Sequence, residues 1–259
     1  MTKLLTLLVA VLFSINSFSQ DTTSVSQENI KPKKDKKQLN KWQDYLVVGI
    51  NYNRFIGNGA NESLGQKDIS LGYDLGLYKT FAISNTFAFA TGLNLNGFNI
   101  NSDIIPLYNK TSENTVFWTI PEATSVKKNK MSLTYIDVPL EIRIRTKFKK
   151  TESSLEEENT TTTDNNYFKI ALGCKIGYLL NSHTKYYGDY LGTDENLIAE
   201  KIKTKTYDIK YLEEIRYGVY GRIGYGRISA YYYYSLVDIF KADKGPQVQP
   251  FTAGLNLSF

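Results

Sequence analysis

Several residue groups in this 259-residue chain have types and spacings that could do chemistry. Asp137 and Glu141 lie two positions either side of Pro139, with Arg143 next on the same alternation, and paired carboxylates are the usual equipment of general acid–base catalysis. Ser182-His183 joins a nucleophile to a base, Cys174 is the single thiol, and Gly218, Gly221, Gly224 and Gly226 form a glycine-rich run. Each group has a plainer reading. The carboxylates sit among an excess of Arg and Lys, which favours a structural ion network over acid–base work. Ser182 and His183 are adjacent, in a connection, with no positioned acid. The glycine spacing does not match a phosphate loop. One His and one Cys exclude an internal disulfide, a Cys-based zinc site and most triad chemistry. No catalytic, cofactor-binding or metal-binding residue is assigned, and the chain reads as non-enzymatic.

The elements that would hold these residues are strands. Mean hydropathy is −0.33, a value typical of water-soluble chains, yet Tyr occurs 20 times and aromatic residues make up 14 %. No run of about 18 apolar residues follows the N-terminal start, which excludes a helical membrane body. Residues 1–19 read as a secretory signal peptide: Lys3, an apolar stretch from Leu4 to Phe13, and a Ser17-Phe18-Ser19 cleavage site. No Cys follows to carry a lipid anchor. Residues 20–42 form a polar, Lys-rich tail expected to be solvated in the periplasm, and without interleaved aromatics it gives no nucleic-acid signal. Residues 43–259 are expected to form one barrel domain.

Within that domain a period of two recurs in segments of about ten residues. Leu46, Val48, Ile50 and Tyr52 oppose Gly49, Asn51 and Asn53. Leu71, Tyr73, Leu75 and Leu77 oppose Gly72, Asp74 and Gly76. Phe87, Phe89, Leu93 and Leu95 oppose Ala88, Ala90, Asn94 and Asn96. The same alternation continues through Ile136–Ile144, Phe168–Tyr178, Tyr217–Ile223, Ile228–Leu236 and Phe251–Phe259. Eight strands result. The second face carries Asp74, Asp137, Glu141, Arg143, Arg145, Lys169, Lys175, Arg216, Arg222 and Arg227, interspersed with Gly, Ala, Asn and Ser. A solvent surface does not require such small residues, whereas the crowded lumen of an eight-stranded barrel does. The apolar face places Tyr and Phe near strand ends and aliphatic residues between them, which suits a hydrocarbon band with aromatic girdles. The fold class is therefore all-β: an eight-stranded antiparallel up-and-down transmembrane β-barrel.

Connections are long after the first, third, fifth and seventh strands (56–69, 100–130, 181–212 and 241–248) and tight after the second and sixth. Short periplasmic turns and long outer loops put both barrel ends in the periplasm. The acidic, Thr-rich stretch 149–166 is expected to be a disordered periplasmic insertion. Thr115–Ile120 and Lys203–Lys210 are strand-like and are expected to extend barrel strands above the membrane, with a ten-stranded count as the alternative; Pro139 is expected to mark a bulge or bend in the barrel wall.

With these segments laid out, the chain resembles the PorT-like outer-membrane β-barrel family of Bacteroidetes. Tyr135-Ile136-Asp137-Val138-Pro139-Leu140-Glu141 is similar to that family's mid-chain strand, and Tyr234-Ser235-Leu236-Val237-Asp238-Ile239 is similar to its penultimate strand end. Phe251–Phe259 resembles the C-terminal strand that barrel-assembly machinery recognises. The resemblance implies an outer-membrane location among outer-membrane lipid, and its namesake is associated with secretion and gliding machinery. The leading expectation is a barrel with a side-chain-filled lumen, acting as an anchor or as a component of an envelope or secretion assembly. The alternatives are a narrow anion-favouring channel, from seven basic against three acidic inward residues, and a soluble secreted ligand-binding barrel.

Overall fold

In a computed structural model, the described residues are 42, 44–57, 65–67, 69–120, 124–147, 167–191 and 197–259. Residues 1–19, read as a signal peptide, nearly all of the Lys-rich stretch 20–42 and the acidic stretch 149–166 lie outside the described residues. Eleven strands form: β1 (Leu46–Ile56), β2 (Leu71–Ala82), β3 (Phe87–Asn101), β4 (Ile104–Asn109), β5 (Asn114–Thr119), β6 (Val126–Lys147), β7 (Tyr167–Leu191), β8 (Leu197–Tyr207), β9 (Ile215–Tyr225), β10 (Ile228–Ser235) and β11 (Gln249–Ser258).

Eight of them close into an antiparallel ring in the order β1-β2-β3-β6-β7-β9-β10-β11, with β11 returning to β1 and β6 sealing against β7. Closure leaves no free sheet edge at the level of the ring, which a bilayer requires because no water is present there to satisfy an edge. The ring does not expand to ten strands. Thr115–Ile120 falls on β5, which pairs only with β4 in a separate hairpin, and Lys203–Lys210 falls largely on β8, which pairs with the far end of β7.

The ring has a turn end and a loop end. At the turn end, Ser84 Oγ accepts hydrogen bonds from Thr86 N and Phe87 N between β2 and β3. Between β9 and β10, Tyr225 pairs directly with Ile228, and Gly226 takes a positive φ of 59° that favours glycine. Both ends of the barrel chain meet there, where Tyr45 N donates to Phe259 O at 2.9 Å.

The two faces separate as the alternation requires. Ile50 (68 % exposed), Leu77, Leu140, Ile142, Leu172, Ile176, Ile223 and Leu255 (64 %) point outward. They are flanked by outward Tyr45, Phe81, Phe87, Tyr225 and Phe259 near the turn end and by Tyr73 and Tyr217 nearer the loop end. A belt of exposed aliphatic side chains between aromatic rings is what hydrocarbon selects, and a soluble barrel would bury it. Facing inward, Asn51, Asp137, Glu141 and Asn96 are at most 2 % exposed.

Pro139 does not create a bulge. It pairs with Lys175 in unbroken register on the β7 side, and its carbonyl accepts from Thr91 Oγ1 at 2.8 Å on the β3 side. A residue's N and O project to the same side of an antiparallel strand, so the missing donor also faces β3. There the ladder lapses between Thr91–Leu140 and Asn94–Asp137 and resumes without a shift. The irregularity lies higher instead: Tyr135 opposes Leu179 but Thr134 opposes Asn181, which leaves Leu180 as the extra residue on β7.

Candidate functional site

The lumen gathers the chemistry-bearing residues, and register explains how they fit. Across neighbouring strands, long inward residues repeatedly face glycine: Glu141 opposes Gly173, Asp137 opposes Gly177, Lys175 opposes Gly218, Asn256 opposes Gly49 and Asn51 opposes both Gly254 and Gly72. A Cβ at Gly177 would stand 2.0 Å from Asp137 Oδ1, and one at Gly49 would stand 2.1 Å from Asn256 Oδ1. The glycines are the space into which the polar side chains lie.

Two carboxylates organise the charge. Near the turn end, Glu141 accepts from Arg143 Nε, from Arg222 Nη2 and from the Tyr220 hydroxyl at 2.8 Å. Arg143 reaches on to Asp44 O at 2.9 Å and Thr80 Oγ1 at 2.6 Å, and Tyr78 presents its ring to both arginines. Higher up, Asp137 accepts from Lys175 Nζ at 2.8 Å and from Arg216 through Nε and Nη2 at 2.9–3.2 Å. Arg216 Nη2 donates to Asn96 Oδ1 at 2.8 Å, and Asn96 donates to Asp74 Oδ1 at 2.9 Å. Asn94 at 2.8 Å and Asn51 complete the shell around Asp74. Arg216 also stacks 3.7 Å from the centre of the Tyr135 ring, and Lys175 lies 4.2 Å from that of Tyr233.

Two further contacts close the turn end. Lys169 Nζ pairs with Asp44 at 2.6 Å, and the Arg145 guanidinium lies between Trp42 (4.0 Å) and Tyr167 (4.8 Å).

Nine of the ten charged residues read as inward do face the lumen or its mouth. Arg227 does not: it occupies the β9–β10 turn, exposed, 5.8 Å from the Phe259 ring, because the turn ends the alternation one residue earlier than the sequence suggests. Asp44 enters as a fourth carboxylate, from irregular chain before β1 where no alternation could have marked it. Tyr78, Tyr220, Tyr231 and Tyr233 also belong to the lumen. The alternation puts Tyr220, Tyr231 and Tyr233 on that inward face, and Tyr78 follows the same parity on β2.

At the loop end the inward side chains change character. Phe55, Phe98, Ile100, Met131, Leu133 and Tyr135 from the ring pack with Ile104, Leu212, Ile239, Phe240 and Val248 from the connections, all at most 7 % exposed. Asn129 holds the β4–β5 connection in place by donating to Ser102 O and Ile104 O at 2.8 and 2.7 Å. The segment after β10 is tied down by Ile239 N to Val248 O and by Glu213 N to Ile239 O, both 2.9 Å.

The remaining sequence candidates are not brought together. Ser182 and His183 are successive residues of β7 and project to opposite faces: Ser182 is buried and its Oγ accepts from Ile209 N at 3.1 Å, while His183 Nδ1 lies 3.0 Å from Asn181 Oδ1. Cys174 is exposed on the outward face between Leu172 and Ile176. Gly218 and Gly224 line the lumen side of β9. Gly221 lies under the Tyr232 ring on the outer face, an aromatic ring covering a neighbouring strand's glycine. Among the described residues, no group of three or more His, Cys, Asp or Glu is arranged to hold a metal ion.

No curated protein matches the chain. The family model of the outer membrane protein beta-barrel domain, however, matches residues 18–241. An apolar exterior around a polar, ion-paired interior is the inverse of a soluble barrel and is what that family's surroundings demand. The chain belongs to the outer membrane protein beta-barrel domain family, and it is a protein of the outer membrane.

Proposed function

We propose that this is a PorT-like, non-enzymatic outer-membrane barrel whose lumen is closed by its own side chains. In this reading it serves as an anchor or a component of an envelope or secretion assembly. The observation that carries the closed lumen is the stacking of two unlike seals along one axis. Asp137 and Glu141, each with side chains 0 % exposed, hold four basic partners across the ring, and the Phe98–Leu133–Phe240 cluster lies above them. A conducting lumen needs solvated charges, whereas these are consumed by one another. Arg227 leaves the inward set and Asp44 joins it, so the basic excess that motivated a channel shrinks from seven against three to six against four. The tight turns and both barrel termini share one end, which supports a periplasmic placement of that end and an outward placement of the β4–β5 hairpin and β8. Insertion would be the task of barrel-assembly machinery reading the β11 strand.

Proteoliposome swelling tests the proposal. Vesicles containing the refolded mature chain should swell in small sugars no faster than empty ones. Swelling at porin-like rates would overturn the closed lumen, and conductance that falls when Arg143 and Arg222 are neutralised would establish the anion-favouring channel in its place.

A further inference from the structure

Past the last β7–β9 pair, Tyr178–Ile215, β6 and β7 run on with β8 in place of β9, β3 staying paired with β6 as far as Asn101–Lys130, and the outer face of this flap carries an array fixed by register. Lys130 opposes Lys185, and Lys185 opposes Lys205, so three ammonium groups stand side by side across three strands. One row further out, Lys128 opposes Tyr187 and Tyr187 opposes Lys203. One row nearer the ring, His183 opposes Tyr207, with ring centres 5.8 Å apart. Like charges placed directly opposite on a sheet are destabilising. Among the described residues no carboxylate comes within ion-pair distance of any of these five lysines. The strain is visible in both titratable types. Partial burial and then Lys128, Lys185 and Lys205 pull Lys130 below the ordinary lysine range, and burial followed by Lys205, Lys130 and Lys185 pulls His183 down. Tyr187 lies between Lys127 at 5.5 Å and Lys203 at 4.9 Å, a flat ring bordered by cations.

The array's position selects its occupant. The outward residues of β7 run Leu172, Cys174, Ile176, Tyr178 and Leu180, and after the extra residue they run Asn181, His183, Lys185 and Tyr187. The lysines thus lie on the same wall as the hydrocarbon-facing belt, directly beyond it. Lys185 lies five residue steps beyond Leu180, about 16 Å along the strand and roughly 12 Å along the membrane normal at a typical tilt. The interfacial layer is about 5–8 Å deep on each side of a bilayer, and flexible lysine stems reach back into it.

We propose that this array is a binding site for the phosphate-bearing saccharide headgroup of a lipid in the adjoining leaflet, with the lysines taking the phosphates and Tyr187 lying against a sugar ring. The inference rests on the membrane-spanning reading, and the orientation proposed above makes that leaflet the outer one.

The test uses the full mature chain in nanodiscs of neutral phosphatidylcholine doped with bis-phosphorylated lipid A, with retained lipid counted by native mass spectrometry. The wild type should retain lipid A, and the triple variant K130Q/K185Q/K205Q should lose at least about tenfold in retention. A control variant, K110Q/K201Q, should behave as wild type. Equal retention by the triple variant would overturn the proposal. So would tighter binding of soluble dextran sulfate than of lipid A by the wild type, which would make the partner a soluble polyanion. Heat-modifiable migration of each variant reports that the barrel is intact, and sugar swelling reports the lumen, so failure here is distinguishable from failure of the closed-lumen reading.

Discussion

The two halves of the lumen hold the ring together by opposite means. Toward the turn end, inward positions are charged or amidic and the outward ones are aliphatic. Toward the loop end, inward positions are Phe55, Phe98, Ile100 and Leu133. A single strand makes the change visible: β3 sends Phe87 and Phe89 outward to 48 % and 37 % exposure, then turns Phe98 and Ile100 inward to 0 % and 2 %. The parity of the strand never alters. The surroundings do. At membrane level the hydrocarbon takes the apolar side chains and the interior must neutralise its own polar ones, whereas beyond the membrane water surrounds the ring and the hydrophobic effect again favours an apolar interior. The lower half is a transmembrane barrel and the upper half is a small β-protein built on the same strands.

The largest effect is expected from breaking the lower seal. Asp137→Ala leaves Lys175 and Arg216 buried without their carboxylate, a loss of roughly 3 to 5 kcal/mol. Heat-modifiable migration and urea unfolding in vesicles should both register it as failed or weakened assembly of the whole ring.

Leu133→Ala in the upper seal removes a 1 % exposed core side chain and costs roughly 2 to 5 kcal/mol, but locally. Protease sensitivity should rise in the β4–β5 hairpin and in 236–248 while the ring still assembles. If this variant blocked assembly as Asp137→Ala does, the two halves would be one cooperative core and the contrast between them would fail.

The smallest effect concerns the β8 side of the flap, where Lys203 to Tyr207 are all exposed and belong to neither seal. Lys185→Glu places a carboxylate between Lys130 and Lys205 and should stabilise the flap by up to about 1 kcal/mol. The pH dependence has a definite sign. Lys130 has a lowered pKa in the folded flap, so the unfolded segment binds more protons between that value and the reference 10.5, and flap stability rises with pH through the interval. A nitroxide at Thr204 should become less mobile as pH rises in the wild type and change little in Lys185→Glu. The reverse trend would remove the like-charge strain from the account.

The alternation from Leu46 to Phe259 was enough to specify eight ring strands, the lipid-facing side of each and nine of the ten inward charges, because successive strand residues must face opposite sides and a bilayer tolerates only one assignment. It also marked Asp137 and Glu141 as members of an ion network. Which cation each would hold was not legible: Arg216 meets Asp137 from 79 residues away, and only the closure of β6 on β7 and β9 brings them together. Pro139 illustrates the same limit, since its tolerance depends on a lapse in the β3 ladder that lies in a different segment of chain. The apolar plug was hidden for a further reason. Phe98 and Leu133 follow their strands' parity, but Leu212, Phe240 and Val248 come from connections with no periodicity, and nothing local says that they fold back over the ring. The lysine array depends on two registers, β6 on β7 and β7 on β8, and on one extra residue at Leu180. Periodicity within a segment fixes which way a side chain points, and tertiary pairing alone decides what it meets.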